Sequence, residues 1–254
     1  MSFSDAELER YSRQMILPQV GGPGQRRLKA ASVVVIGAGA IGSAALPALA
    51  AAGVGRLTVI DDDVIDLTNL HRQFIYRQDQ IGQPKADAAA AFARSLNASV
   101  EVVGTQTRIN GVNAQDLLRG HDLVLDGSDN FATRLAVGDA CVELHLPLVS
   151  AAAAQLQAQI ALFRGWEPSQ PCYRCFVGDA FDTDDCDNCA ELGVLGPVSA
   201  VAGQFGALLA MRALLEVGRD AAGQLFLLEA LSLKWRSIAL PKDPGCRTCG
   251  GTTP

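Results

Sequence analysis

Six residues, Gly37-Ala38-Gly39-Ala40-Ile41-Gly42, constrain this chain more than any others. They follow the β-branched run Ser32–Ile36 and open an Ala-rich stretch that runs to about Ala52. The order predicts a strand buried on both faces, a tight turn, and a helix whose first N–H groups face an anion. Arg56–Asp61 reads as the next strand, so the segment is one βαβ unit, the start of a doubly wound sheet. Asp61 ends that strand nineteen residues after Gly42, where a carboxylate can accept hydrogen bonds from ribose hydroxyls. A bare strand–helix turn is the bland alternative, and the matching context disfavours it. The turn says nucleotide, and leaves NAD-type redox and ATP chemistry both open.

Further units follow at the same rhythm. Lys85–Asn97 and Asn130–Leu144 are predicted helices; Val100–Arg108, Asp122–Asp126 and Leu146–Ala151 are predicted strands. Upstream, Ser4 and Glu7 make a capping box for a helix from Asp5 to about Leu17, with Arg10 and Arg13 on its polar face. The Gly21-Gly22-Pro23-Gly24 cluster is expected to end that helix and act as a hinge, and Pro47 to kink the helix after the glycine turn. Past residue 151 the alternation stops. Gln157–Arg164 reads as a strand, Gly196–Gly218 as a buried small-residue helix, and Gln224–Leu231 with Ser232–Leu240 as a hairpin. The fold class is therefore α/β: a Rossmann-like, doubly wound, mainly parallel sheet continued by antiparallel strands. Residues 1–30 read as a helical arm, 31–165 as the nucleotide-binding region and 166–254 as a cysteine-bearing region of the same compact domain.

Composition narrows the class. With 49% hydrophobic and 19% charged residues among 254, intrinsic disorder is excluded and one large core is within reach. A net charge of −6 disfavours a nucleic-acid partner held through its phosphates. No apolar run is expected to reach the ~18–20 residues of a membrane span, and the opening Met1–Asp5 has no signal-peptide character. The expectation is a soluble, cytoplasmic protein. Six of its seven cysteines form three C-x-x-C pairs, Cys172/Cys175, Cys186/Cys189 and Cys246/Cys249, while Cys141 reads as a small buried hydrophobe.

Charged residues then separate the two nucleotide chemistries. Hydride transfer needs no polyphosphate clamp, whereas phosphoryl chemistry needs cations on the leaving phosphates and a carboxylate for Mg²⁺. Arg72, Lys85 and Asp129 offer that set, and Asp129 lies just past a strand end, where open sheets bind ligands. Singly each would be a solvated surface charge. Together they favour ATP.

The residues Arg10-Tyr11-Ser12-Arg13-Gln14, the glycine turn, Asp61-Asp62-Asp63, Asn69-Leu70-His71-Arg72-Gln73, Pro84-Lys85, Ser128-Asp129-Asn130 and Cys172-Tyr173-Arg174-Cys175 resemble the ThiF/MoeB/HesA family, bacterial relatives of ubiquitin-activating enzymes. The resemblance runs from Arg10 to Gly251. It implies a homodimer that uses ATP and Mg²⁺ to adenylate the C-terminal Gly-Gly carboxylate of a small ubiquitin-like sulfur-carrier protein. By that likeness Gly37, Gly39, Ala40, Gly42, Asp61, Asp63, Asn69, Gln73 and Asn130 line the nucleotide site. Arg72 and Lys85 hold the phosphates, Asp129 handles Mg²⁺, and Arg13 reaches the neighbouring protomer's ATP. Ala40 departs from the family's usual glycine and adds only a methyl, which ATP should tolerate.

The thiols sort by their surroundings. Four thiolates close a structural Zn²⁺ site, and the outer pairs, Cys172, Cys175, Cys246 and Cys249, sit on Gly- or Pro-flanked knuckles with an Arg nearby. The middle pair lies among Asp182, Asp184, Asp185 and Asp187 in the expected crossover loop, residues 176–195. Cys189 matches the family's loop cysteine, which takes the acyl group or links covalently to the carrier. Its acidic neighbours should raise a thiol's pKa and oppose reactivity.

The leading reading is a nucleotidyltransferase that prepares its carrier for thiocarboxylate formation. Ser232–Leu240 and the Cys-Gly-Gly tail look most like the thiamine-thiazole members; a molybdopterin-pathway carrier is the alternative. No rhodanese-like extension is expected after Cys249, and a separate desulfurase or rhodanese-like protein is the expected sulfur donor. An NAD(P)-dependent oxidoreductase explains only the glycine turn and Asp61. A non-catalytic carrier-binding module leaves Arg72, Lys85 and Asp129 without a purpose.

Overall fold

The computed structural model describes residues 2–178 and 193–251. Its centre is an eight-stranded sheet. The strands are β1 (Ser32–Ile36), β2 (Arg56–Ile60), β3 (Glu101–Thr105), β4 (Leu123–Asp126), β5 (Leu148–Ala154), β6 (Gln157–Phe163), β7 (Gln224–Glu229) and β8 (Lys234–Ala239). Their spatial order is β3-β2-β1-β4-β5-β6-β7-β8. The first five run parallel, and β5 through β8 pair antiparallel. The mixed sheet matches the expected architecture, and the turn at Gln155-Leu156 lets β6 fold straight back on β5 without a crossover helix.

Alternation along β1 builds the two sides of the core. Val33 and Val35 belong to a cluster shared with α2 (Gly21–Ala30), α3 (Gly42–Ala51), α4 (Lys85–Leu96) and α8 (Gly196–Leu215). Val34 and Ile36 point the other way, toward α5 (Ala114–Leu118), α6 (Phe131–Glu143) and α7 (Tyr173–Val177). A strand covered on both faces reads as a continuous β-branched run, which is why SVVVI was recognisable.

Three expectations need correction. The first helix, α1, spans Asp5–Met15 with the expected capping box, but Gly21-Gly22-Pro23-Gly24 does not form a hinge. It is the first turn of α2. Pro23 is tolerated there because first-turn N–H groups have no intrahelical acceptor. Gly24 serves packing, since a Cβ at that position would lie 3.0 Å from Leu215 of α8. Second, α1 docks on its own chain: Tyr11 is buried, its hydroxyl accepts from Asn97 Nδ2 at 2.8 Å, and Gln14 Nε2 donates to Ala52 O. Third, α8 is long and apolar enough to cross a membrane. Half of that stretch is buried, and it packs on α3, β5 and β6 as a core helix. Pro47 sits inside α3, which is helical on both sides of it.

Candidate active site

The strand order reverses between β1 and β4, each of which continues outward in an opposite direction. Open α/β sheets bind ligands at such a switch point, beyond the carboxyl ends of the strands. A cleft of about 460 Å³ opens there, within the usual range for small-molecule sites.

The glycine turn forms its floor, and its glycines divide the labour. Gly37 has φ +80°, and a Cβ would lie 3.2 Å from the backbone of Gly127 at the end of β4. Gly42 lets α3 start against the turn: a Cβ there would sit 1.9 Å from Gly37 O. Gly39 is different. A Cβ there would meet only Gln73 Nε2 at 3.8 Å, so the fold leaves room for a side chain and the cleft receives it. Ala40 also lines the cleft.

Asp61 leaves β2 beneath the turn. Its carboxylate accepts from Ala38 N at 2.6 Å and Asp63 N at 2.8 Å. Burial raises its pKa above the ordinary aspartate value, against the opposing pull of Lys85 and the two N–H groups. Lys85 is buried at 5% exposure, and its Nζ donates to Asp63 Oδ2 at 2.8 Å. Asp63 itself is exposed, so this pair counts for little in stability. What matters is that the fold presents a lysine ammonium to the cleft on a buried stem.

The remaining wall comes from a one-turn helix, Leu67–Asn69, and the residues after it. Asn69 Oδ1 accepts from Asp66 N at 3.2 Å. Arg72 Nη1 donates to Thr68 O at 2.8 Å, which aims the guanidinium. Gln73 is 2% exposed, and among the described residues its Oε1 has no partner, nor has Ser128 Oγ. Buried polar atoms left this way call for a ligand or water, and both residues line the cleft. Asn130 caps α6, its Oδ1 accepting from Thr133 N at 2.9 Å, and the exposed Asp129 lies just before it on the cleft wall.

Gly37, Gly39, Ala40, Asp61, Asp63, Asn69, Arg72, Gln73, Lys85, Asp129 and Asn130 are thus brought together. Gly42 supports them from behind. Arg13 is exposed on α1 and lies outside its own chain's cleft. Cys186 and Cys189 fall outside the described residues, as does most of the expected crossover loop.

Sequence reading missed Arg134. Its guanidinium is buried and donates to Ser150 Oγ, Ala151 O and Ser128 O, tying the segment after β4 to the middle of β5. An arginine beside the apolar run Leu135-Ala136-Val137 was the available signal. Tyr76 was missed too; its hydroxyl donates to Ala38 O at 2.8 Å and steadies the glycine turn.

A second cluster lies behind α6. The Sγ atoms of Cys172, Cys175, Cys246 and Cys249 all fall within 4.8 Å of one another, with neighbouring sulfurs at 3.8, 3.5 and 3.4 Å. A tetrahedral ion with ~2.3 Å bonds to sulfur needs thiolates about 3.8 Å apart, so the set fits a four-thiolate metal site. Hydrogen bonding from Cys172 lowers the pKa of the Cys175 thiol below the ordinary cysteine value, while burial raises that of Cys249.

Fold and cleft define a Rossmann-like α/β protein with a nucleotide-type site at the switch point and a four-cysteine cluster. A ThiF family model matches residues 11–248. The chain belongs to the ThiF family. It is 44% identical to a sulfur carrier protein adenylyltransferase of Thermus thermophilus, over 98% of this chain and 93% of that protein. It is 39% identical to the SAMP-activating enzyme E1 of Haloferax volcanii, over 98% of this chain and 92% of the relative. An adenylyltransferase and sulfurtransferase of Zea mays (MOCS3-1) is 40% identical over 95% of this chain, which spans 51% of that longer protein. Among solved structures, MccB of E. coli with the peptide MccA-N7isoASN superposes with a TM-score of 0.83 at 22% identity, covering 98% of this chain and 76% of MccB. That likeness concerns the fold. With its family and these relatives, the chain is an adenylyltransferase.

Proposed function

We propose that this chain uses ATP to adenylate the C-terminal Gly-Gly carboxylate of a small ubiquitin-like sulfur-carrier protein. The observation that carries the reading is the meeting of Lys85, Arg72 and Asp129 around one cleft floored by a glycine turn. Hydride transfer expels no polyphosphate and so needs no such clamp on a leaving group. A carboxylate oxygen of the carrier attacks the α-phosphorus; the new O–P bond forms as the bond to the bridging β-phosphate oxygen breaks, and pyrophosphate leaves. Asp61 accepts the ribose hydroxyls, and Gly39 admits the phosphates close to the backbone. Lys85 exchanges Asp63 for phosphate oxygens, and Arg72 joins it in neutralising the leaving group. Asp129 holds Mg²⁺, which supplies further charge neutralisation when bound. Carrier acyl-adenylate then has AMP as a leaving group for a separate sulfur donor.

In this reading, which follows the family resemblance, the enzyme is a homodimer in which Arg13, exposed and outside its own cleft, reaches a second copy's phosphates. Zn²⁺ fills the four-cysteine cluster and ties the C-terminal knuckle to the body, and a reducing cytoplasm suits both. Cys189, in the crossover segment, is the residue we assign to acyl or covalent capture of the carrier. For the carrier itself, the Ser232–Leu240 strand and the Cys-Gly-Gly tail favour the thiamine-thiazole pathway, with a molybdopterin-pathway carrier as the alternative.

ATP–pyrophosphate exchange tests the reading. Exchange should require a carrier ending in Gly-Gly and vanish when the last glycine is removed; offering each of the two carriers separates the pathways. A nicotinamide nucleotide that binds tightly while ATP does not would overturn it.

A further inference from the structure

The two knuckles of the four-cysteine cluster stand far apart in the chain, yet they share one carboxylate. Arg174 is the third residue of Cys172-Tyr173-Arg174-Cys175, and Thr248 is the third residue of Cys246-Arg247-Thr248-Cys249. Both bind Asp139 of α6. Thr248 Oγ1 donates to Asp139 Oδ1 at 2.7 Å. Arg174 Nη2 donates to Asp139 Oδ2 at 2.7 Å and Nε to Oδ1 at 3.2 Å, a two-pronged grip on one carboxylate. Arg174 Nε also donates to Thr248 Oγ1 at 3.1 Å, which closes the triangle. The cysteines pair with the same offset: Cys172 with Cys246 at 3.5 Å and Cys175 with Cys249 at 3.4 Å.

Packing places that carboxylate where it can serve both loops. A Cβ at Gly138 would lie 2.9 Å from Tyr173 Cβ, so the absence of a side chain there lets α6 lie directly against α7. Val142, one turn further along α6, packs on Cys172, Cys246 and Cys249. Arg174 is 4% exposed, so its end of the contacts is shielded from water, while the Asp139 side chain stays 35% exposed.

We propose that Asp139 is a positioning residue for the metal site: it holds the two knuckles in register and so preassembles the four thiols for Zn²⁺. Four thiolates gathered around one point repel each other, and separate knuckles must be brought together at an entropic cost before a metal can join them. A carboxylate that grips the third residue of each loop meets that cost in the fold. The charge of Arg174 is matched by the Asp139 carboxylate, so the pair adds no net charge beside the cysteines. The hydrogen bonds of Asp139 run to Arg174 and Thr248, and it acts on the cysteines through those two residues.

The proposal rests on the zinc reading, and zinc binding itself is the readout. Metal-free protein is titrated with Zn²⁺ against a chromophoric chelator, and release from the loaded protein is timed in excess chelator. Wild type, Asp139→Ala, Thr248→Val and Glu143→Ala are compared at a temperature where each is folded. Removing an outer partner of a metal site costs roughly 10–100-fold in affinity, and we expect a loss of that size for Asp139→Ala, with faster release. Thr248→Val keeps the Asp139–Arg174 pair and should lose a smaller, measurable part. Glu143→Ala removes a carboxylate of α6 whose side chain accepts a hydrogen bond from Gln115 of α5, and should stay within about twofold of wild type, well below that outer-partner loss. A merely structural role would lower the melting temperature and leave affinity alone. Folded Asp139→Ala with wild-type affinity refutes the proposal, as does an equal loss in Glu143→Ala. If Asp139→Ala does not fold, unchanged affinity in Thr248→Val refutes it. Wild-type protein that takes up no zinc overturns the metal assignment together with it.

Discussion

Gly39 and Gly42 belong to one turn, yet substituting alanine should harm the protein in two unrelated ways. At position 42 a Cβ would sit 1.9 Å from Gly37 O. That separation is far inside any van der Waals contact, and the obstacle is backbone, which cannot rotate away. Overpacking with movable neighbours costs about 1–3 kcal/mol; here the start of α3 or the turn must move, so ~3 kcal/mol is the expectation. For a chain of this size each kcal/mol is worth roughly 2–4 °C, so Gly42→Ala should melt about 6–12 °C lower. At position 39 the new methyl meets only Gln73 Nε2 at 3.8 Å, and Gly39 is not among the positive-φ residues. Gly39→Ala should therefore melt within ~2 °C of wild type, aided slightly by the stiffer unfolded chain. Its methyl points into the cleft, so ATP affinity should fall at least ~10-fold, about 1.4 kcal/mol. Differential scanning fluorimetry with and without ATP reads both effects. If Gly39→Ala loses as much stability as Gly42→Ala, or binds ATP normally, the division of labour within the turn is wrong.

Other outcomes follow from the same geometry. Asp129→Ala should abolish ATP–pyrophosphate exchange in a folded protein, and exchange within a few-fold of wild type would remove Asp129 from the mechanism. Arg13→Ala should lose roughly 10³–10⁵ in rate if it acts as an arginine finger; mixing it with Asp129→Ala should restore part of the activity, and a dead mixture despite subunit exchange would place Arg13 in cis. Cys246→Ser should release zinc and lower solubility or melting temperature, since structural zinc contributes about 10–16 kcal/mol in small peptides. Zinc kept by Cys246→Ser but lost by Cys186→Ser would reverse the ligand assignment. Burial raises the Asp61 carboxyl, so ATP affinity should fall on acidification before an ordinary aspartate would protonate, and Asp61→Asn should abolish that component. In the nucleotide-free protein the sign is opposite: the native state holds this proton more tightly than the unfolded chain. Its contribution to stability is therefore complete below the unfolded value and is lost as pH rises through the raised one.

Local signals made most of this legible in the sequence. The β1 run, the glycine turn and the Ser4–Glu7 box each specify their geometry within a few residues, and the structure places them within a residue or two of the expected bounds. Asp61 and Asp129 could be named because each follows a strand end, whereas Asn69, Gln73 and Asn130 rest on the family resemblance. What escaped depends on distant partners. Gly21–Gly24 carries every local mark of a break, yet it starts α2, where Gly24 lets the helix pack close to Leu215 of α8. Arg134 looks like a surface charge until β5 supplies the carbonyl and hydroxyl it binds. Asp139 gives no sign that two loops far apart in the chain converge on it.

Label transfer from ATP tests the central claim most directly. The protein is incubated with a Gly-Gly-ending carrier and ATP labelled at either the α- or the γ-phosphate, and the carrier is examined by intact mass and radioactivity. Adenylation moves the α-label onto the carrier as AMP and sends the γ-label out in pyrophosphate. Transfer of the γ-label to the carrier, or no α-label transfer by folded protein that binds both ATP and carrier, would contradict it.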